Sequence, residues 1–143
     1  MARQRKQFGT ADDTELAFYD AVGRADIDAL MALWAEDEEI VCIHPDGTRL
    51  IGYAAIRASW TEIFTRGGIH IHPVQLHASQ NVMSAVHNLI EAIDLPEGRQ
   101  RDIHILATNV YVKTPLGWRI VVHHASVAPG RAEPEPAAGG VLH

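Results

Sequence analysis

The chain has 143 residues, of which 47% are hydrophobic and 21% are charged, a composition typical of one globular domain. Twelve Lys and Arg against eighteen Asp and Glu give a net charge of −6, so we expect neither a nucleic-acid partner nor binding to an anionic membrane. The chain contains no long apolar stretch, and Cys42 is its single cysteine. We therefore expect a cytoplasmic protein without a membrane span or an internal disulfide.

Two helices are predicted in the first part of the chain. Thr10, Asp12 and Asp13 are candidate caps for the first helix, in which apolar residues recur at helical spacing at Leu16, Tyr19 and Val22. Asp26 is the candidate cap of the second helix, which is predicted to run through about residue 35. Its apolar stripe consists of Ile27, Leu30, Met31 and Trp34.

A short strand and a third helix follow. The β-branched segment between Glu38 and Pro45 predicts a strand that ends at the turn sequence Pro45-Asp46-Gly47. Gly52 then precedes a helix predicted over residues 54–65, whose apolar face includes Trp60.

From Ile69 onward the pattern becomes extended, with strands predicted at 69–78, 82–94, 102–113 and 117–127. Turn sequences separate these segments, which indicates consecutive antiparallel strands joined by hairpins. Helices followed by a meandering sheet predict an α+β domain over residues 11–128. Residues 1–10 are expected to be a flexible leader, and residues 129–143, rich in Pro, Ala, Gly and Glu, a mobile tail.

The last strand carries two adjacent histidines. Side chains of a strand alternate between its faces, so His123 and His124 cannot point to the same side. Alternation over the whole segment groups His124 with Trp118 and Ile120, and groups His123 with Ala125. We expect His123 to face an interior cavity and His124 to face the outer surface of the sheet.

The order of elements resembles the cone-shaped, cystatin-like fold of the nuclear transport factor 2-like superfamily. The resemblance rests on three segments, namely Gly23 to Leu30, Cys42 to Arg57, and Gly117 to Pro129. This superfamily includes SnoaL-like polyketide cyclases, ketosteroid isomerases and the association domain of calcium/calmodulin-dependent protein kinase II. The segment from Gly117 to Pro129 is most similar to that association domain. The resemblance implies three N-terminal helices packed on a curved, mostly antiparallel sheet, and a homodimer formed through the outer sheet face.

The resemblance to ketosteroid isomerases suggests catalytic positions. His44-Pro45 stands where those enzymes carry an Asp-Pro pair with the catalytic base, and Asn109 stands at their oxyanion-binding aspartic acid. Imidazole titrates near neutrality, so His44 is a candidate acid or base, and Asn109 is a candidate donor to a developing oxyanion. Phe18 replaces their tyrosine, and the adjacent Tyr19 is a substitute donor.

The resemblance to the kinase association domain also suggests which residues line the pocket. Asn88, Asn109 and Ala125 stand at positions where that domain carries pocket arginines, so a carboxylate is a less natural ligand here. Interior positions follow by alternation: with Asn109 we expect Ile103, Ile105, Ala107 and Tyr111 inside, and with Asn88 we expect Ser84, Val86 and Ile90 inside.

Together these residues predict a mostly apolar cavity with His44 and Asn109 as catalytic candidates. The ligand-binding candidates are Asn88, His123, Trp60, Tyr111 and Tyr19. Structural alternatives remain open: His44 in a turn, the two asparagines bonded to each other or to water, and Trp60 in the core. The nine histidines show no recognised metal-ligand spacing, so we expect neither a metal nor a cofactor.

We therefore predict a protein that binds a small, largely apolar molecule carrying a carbonyl or hydroxyl group. If it is an enzyme, cofactor-free acid–base chemistry of an isomerase, cyclase or hydratase is expected. The alternative is a non-catalytic oligomerisation module that resembles the kinase association domain and has no kinase activity.

Overall fold

The computed structural model describes residues 9–94 and 104–128 and has the predicted α+β architecture. Three helices precede or interrupt a six-stranded sheet of order β2-β1-β6-β5-β4-β3. Only the β1–β6 pair is parallel among these strands. The elements are α1 (Ala11–Arg24), α2 (Ile27–Met31), β1 (Val41–Ile43), β2 (Arg49–Ile51), α3 (Tyr53–Phe64), β3 (Ile71–Gln80), β4 (Ser84–Ile93), β5 (His104–Thr114) and β6 (Gly117–Ala128).

The first two helices begin at the predicted caps. The Thr10 hydroxyl accepts from the Asp13 amide at 3.0 Å, and the Asp26 carboxylate accepts from the Ala29 amide at 3.0 Å. These contacts satisfy amides that have no partner within the helix. No helix within residues 9–94 and 104–128 is both long and apolar enough to cross a bilayer.

The second helix is shorter than the prediction, which extended it to about residue 35. It ends at Met31 because the following backbone pairs with β6. The Ile120 amide donates to the Leu33 carbonyl at 2.8 Å, and the Ala35 amide donates to the Ile120 carbonyl at 3.0 Å. Trp34 stays buried, but beside a strand rather than on a helix.

Strand β2 did not appear in the sequence prediction. The predicted turn after His44 closes a hairpin, in which Val41 to Ile43 pairs with Ile51 to Arg49. The Gly47 amide donates to the His44 carbonyl at 2.8 Å, and Gly47 has the positive φ of 90° that favours glycine. Three residues are too few to show an alternating pattern.

The four long strands occur where they were predicted, and their inner face packs against the helices. Ile105, Ala107, Asn109 and Tyr111 are all buried, so the predicted interior face of β5 is confirmed where the structure describes it. Ile103 lies outside the described residues.

The predicted interior face of β4 is wrong. Asn88 and Val86 are exposed, while Ala85, His87, Leu89 and Glu91 are buried. Of the residues predicted inside, Ile90 is buried, at 9% exposure, although it pairs with the outer residue Leu106. The register explains the difference, because Asn109 pairs with His87 and Asn88 pairs with Thr108, and directly paired residues share a face. Asn88 donates to the Thr108 hydroxyl at 3.0 Å, on the face of the sheet opposite to Asn109.

A β-bulge in β6 changes the face on which residues lie. Val110 pairs with Val122, but the adjacent Tyr111 pairs with Ile120, so Val121 is an extra residue. Trp118 and Ile120 are therefore buried on the same side as His123, and their predicted grouping with His124 is wrong. The split between the two histidines holds, because His123 is buried and His124 is exposed.

The outer face of the sheet is partly apolar and uncovered. One row across β4, β5 and β6 consists of Val86, Val110 and Val122, and another consists of Ile90, Leu106 and Ser126. Between them lies a polar row formed by His77, Asn88, Thr108 and His124. Val74, Val86 and Leu106 are each 40–41% exposed, so this face has room for a partner.

The connection between α3 and β3 packs directly on the end of α1. The Ile69 amide donates to the Val22 carbonyl at 3.1 Å, and a Cβ atom at Gly68 would overlap the Gly23 backbone oxygen. This close approach forms one wall of the cavity described next.

Candidate functional site

A cavity of about 730 Å³ lies between the inner sheet face, α1 and α3. Most of its lining is apolar, including Phe18, Trp60, Ile63, Ile93, Ile105 and Val127. Three buried titratable side chains, His44, Glu91 and His123, also reach it, and the exposed Asp46, Glu62 and Arg66 contribute to its lining. An apolar cavity with a few convergent polar groups is typical of a small-molecule site.

His44 stands at the end of β1, where the chain turns toward β2. Its Nε2 lies 2.7 Å from the Ser59 hydroxyl of α3, and its ring is 5.1 Å from the Trp60 ring in an edge arrangement. Burial lowers the pKa of His44 and outweighs the opposing effect of Asp46. The side chain is thus neutral at physiological pH. It bonds to α3, whereas the structural interpretation of the sequence expected a hydrogen bond within the turn.

His123 is held by a chain of hydrogen bonds behind the cavity wall. Its Nδ1 lies 2.6 Å from the Asn109 Oδ1. The Asn109 Nδ2 donates to the Tyr19 hydroxyl oxygen at 3.1 Å, and that hydroxyl donates to the Glu91 Oε2 at 2.8 Å. This series of hydrogen bonds therefore ends at a second residue that lines the cavity, Glu91, whose Oε2 is 4.0 Å from His123 Nε2.

Burial sets the protonation of these groups. It raises the pKa of Glu91 to about 7, against the lowering effect of the Tyr19 hydrogen bond and with a contribution from Glu15. Burial, with His44 and His124, lowers the pKa of His123 to about 3. Burial and the nearby Glu91 carboxylate raise the pKa of Tyr19. At neutral pH, His123 and Tyr19 are therefore neutral, and Glu91 is present in both its protonated and its ionised form.

A second polar cluster lies deeper between α1 and the sheet. The Glu15 Oε2 accepts from the Tyr111 hydroxyl at 2.7 Å and lies 2.8 Å from His87 Nδ1. The His87 Nε2 is 3.8 Å from Asp12 at the start of the helix. All three members of the cluster, Glu15, His87 and Tyr111, are at most 5% exposed, so it anchors α1 rather than contacting the cavity.

A more open groove of about 930 Å³ lies between α1 and the start of β3. It shares the wall formed by Gly68, Ile69 and Ile71 with the cavity, and Tyr19 borders it. The His44, Glu91 and His123 side chains all belong to the cavity instead. The cavity is therefore the candidate site.

Neither metal nor thiol chemistry gains support from the described part of the chain. Residues 9–94 and 104–128 contain no group of three or more His, Cys, Asp or Glu side chains able to hold an ion. Burial raises the pKa of Cys42 to about 12, so its thiol is protonated and a poor nucleophile.

The family follows from a comparison with known sequences. The sequence model of the SnoaL-like domain matches residues 13–129. The chain belongs to the SnoaL-like family, within the nuclear transport factor 2-like superfamily. No curated protein matches it significantly.

Solved structures agree with this assignment. A proposed calcium/calmodulin-dependent protein kinase II association domain from Thiobacillus denitrificans is 34% identical, with a TM-score of 0.80 over 86% of this chain and 98% of that one. A proposed dehydratase of the nuclear transport factor 2-like family from Streptomyces avermitilis is 29% identical, with a TM-score of 0.71 over 80% of this chain and 91% of that one.

A third structure supports the fold alone. A cystatin-like protein of unknown function from Nostoc punctiforme is 15% identical, with a TM-score of 0.70 over 86% of this chain and 96% of that one. The family model and the solved structures together confirm the predicted superfamily and its cystatin-like fold.

Within this SnoaL-like domain, the structure brings only some of the predicted site residues together. His44, Trp60 and His123 line the cavity. Tyr19 and Asn109 lie behind His123, in contact with each other. Tyr111 belongs to the deeper Glu15 cluster, and Asn88 lies on the opposite face of the sheet.

Three buried residues of the site and its surroundings, Glu15, His87 and Glu91, were not predicted from the sequence. Glu91 carried a signal, since a carboxylate in the segment Leu89-Ile90-Glu91-Ala92-Ile93 interrupts an apolar run. His87 and Glu91 lie two and six residues from Ala85, so all three lie on one face of β4.

Proposed function

We propose that this SnoaL-like protein binds a small, largely apolar molecule carrying a carbonyl or hydroxyl group. The observation that supports the proposal is the convergence of His44, Glu91 and His123 on one apolar cavity. His44 and His123 are neutral at physiological pH and Glu91 is partly protonated. Such a site favours an uncharged ligand over a carboxylate or a phosphate.

If the ligand is turned over, the proposed chemistry is cofactor-free proton transfer. Isomerisation, cyclisation and hydration each need one group that takes a proton and one that gives a proton. His44 and Glu91 are the candidates, because both line the cavity and Glu91 has a pKa of about 7. Asn109 is engaged by Tyr19 and His123, so we now assign it a positioning role instead of an oxyanion contact.

Native mass spectrometry of the purified protein tests the binding proposal. We expect a co-purified small molecule, or an added apolar alcohol or ketone, to remain bound to the wild type. Val127→Trp should reduce binding because Val127 lines the cavity. The matched control Val82→Trp changes a residue that is 80% exposed in the β3–β4 hairpin, and should have no effect. Equal loss in both variants would contradict the cavity as the site.

Turnover has its own test once a substrate is identified. His44→Ala should lower kcat by about 100-fold or more if His44 is the acid or base. An unchanged kcat would remove that assignment from His44 and leave Glu91 as the candidate.

We also propose that the protein forms a cytoplasmic homodimer through the outer sheet face. The apolar rows around Val86 and Leu106, with the polar row that contains His124 between them, are suited to a self-complementary contact. The cytoplasm is suggested by the single cysteine, Cys42, which fits a reducing compartment.

A second candidate function is a non-catalytic assembly module. It is favoured by the 34% identity to the proposed kinase association domain from Thiobacillus denitrificans. Light scattering separates the two candidates in part, because a particle much larger than a dimer would favour assembly. A dimer with an occupied cavity would favour ligand binding.

A further inference from the structure

The hydrogen-bond chain behind His123 determines which ring nitrogen faces the cavity. An amide oxygen only accepts hydrogen bonds, so the contact of 2.6 Å to the Asn109 Oδ1 requires a proton on His123 Nδ1. Because the ring is neutral, Nε2 then carries a lone pair. His123 therefore presents an acceptor to the cavity.

The other end of the chain supports this direction. Tyr19 has one proton, and its hydroxyl donates it to Glu91 at 2.8 Å. The phenol oxygen is thus free to accept from the Asn109 Nδ2 at 3.1 Å, which leaves the Asn109 Oδ1 for His123. When Glu91 is ionised, this direction alone satisfies every contact, since a carboxylate cannot donate.

The gap between His123 and Glu91 matches one ligand oxygen. Their Nε2 and Oε2 atoms are 4.0 Å apart, which is too long for a hydrogen bond, and both residues line the cavity. A hydroxyl group between them can donate to Nε2 while it accepts from protonated Glu91. A carbonyl oxygen can only accept, so it would leave the buried Nε2 without a partner.

We infer that the ligand of this cavity is an apolar alcohol that donates its hydroxyl proton to His123 Nε2, and that Asn109 and Tyr19 are positioning residues that fix this tautomer. The inference rests on the proposed ligand-binding function and narrows it from carbonyl or hydroxyl compounds to hydroxyl donors. Two distances support this inference: 2.6 Å between His123 Nδ1 and Asn109 Oδ1, and 4.0 Å between His123 Nε2 and Glu91 Oε2.

The tautomer can be measured without a ligand, by ¹⁵N NMR of the wild-type histidine rings. We expect His123 to be protonated at Nδ1 and bare at Nε2 at pH 7. Asn109→Leu should remove this preference, and Asn109→Asp should retain it because a carboxylate also accepts from Nδ1. A wild-type His123 protonated at Nε2 would overturn the inference while leaving the cavity proposal intact.

Ligand preference is tested with two probes of equal shape, 2-tetralol and 2-tetralone, by calorimetry or ligand-observed NMR. We expect the alcohol to bind about ten-fold more tightly than the ketone, as one buried hydrogen bond and one avoided unpaired acceptor would give. His123→Phe should abolish the preference. The control His124→Phe alters the neighbouring ring on the exposed face and should preserve it.

The outcomes distinguish the inference from the function on which it rests. Binding of the ketone as tightly as the alcohol, with both weakened by Val127→Trp, would overturn the hydroxyl preference and support the cavity. Binding of neither probe would count against the cavity proposal and the inference together.

Discussion

Glu91 is a carboxyl group on the inner face of β4 that the fold keeps out of water, with the Tyr19 hydroxyl as its hydrogen-bond donor. Its folded pKa of about 7 lies above its ordinary value of 4.5, so the native state binds this proton more tightly than the unfolded chain does. The associated stability is fully present below about pH 4.5 and is lost as pH rises through about 7.

Glu91→Gln should therefore remove a pH dependence of stability. The wild type is expected to lose about 3 kcal/mol of unfolding free energy between pH 4.5 and 7.5 from this group, and the variant should lack that loss. Urea unfolding at a series of pH values measures it. Glu39→Gln changes an exposed carboxylate and should leave the wild-type profile unchanged; an identical profile for Glu91→Gln would contradict the buried acid.

Tyr19→Phe should affect both stability and Glu91. Losing the hydroxyl removes a donor from Glu91 and an acceptor from Asn109, at a cost of about 1–3 kcal/mol. Because the Tyr19 hydrogen bond lowers the pKa of Glu91, the variant should raise it, as measured by ¹³C NMR of the carboxyl.

Tyr53→Phe provides the matched control for that change. Its hydroxyl donates to the Met31 carbonyl at 3.3 Å and is only partly buried, so its loss should cost less than 1 kcal/mol. An equal cost in both variants would mean that the Tyr19 chain contributes no more than an ordinary surface contact.

At the scale of elements, the long strands were predictable and the short elements were not. Strands β3 to β6 have 10–12 residues each, which is long enough for alternation to be visible. β2 has three residues, and α2 ends early because residues 33–35 pair with β6, a tertiary contact that no local pattern contains.

The faces of the strands were harder to predict than their positions. On β4 the outer residues Val86 and Ile90 are at least as apolar as the inner Ala85, and the inner face carries His87 and Glu91. When both faces are apolar, alternation does not say which one is buried. Alternation could therefore not correct the inward placement of Asn88, which came from the resemblance to the association domain, and Glu91 was missed. Strand β5, which has the polar Thr108 on its outer face, was assigned correctly.

Gly68→Ala should test the packing of the α3–β3 connection on α1. The new Cβ would overlap the backbone oxygen of Gly23, so the connection must move, at a cost of at least roughly 2 kcal/mol. Thermal unfolding measures the loss. Gly9→Ala meets no atom within 4 Å and should be neutral, and a neutral Gly68→Ala would show that the wall of the cavity is adaptable.

At the scale of the whole molecule, the proposed homodimer depends on the outer sheet face. Leu106→Asp would place a charge in the centre of this face, where Leu106 is 41% exposed, and should convert the proposed dimer to a monomer. Light scattering measures the mass. Val82→Asp, in the more exposed hairpin, should remain dimeric, and a dimeric Leu106→Asp would exclude this face as the interface.

The bulge at Val121 has a consequence for tracing this site through the family. Val121 is one residue more than the ladder with β5 requires, so a relative without the bulge is one residue shorter between Ile120 and Val122. An ungapped alignment that starts from Trp118 would then match that relative's equivalent of His123 with Val122, which lies on the outer sheet face here. Residues equivalent to His123 must therefore be counted backward from the end of β6, and not forward from Trp118.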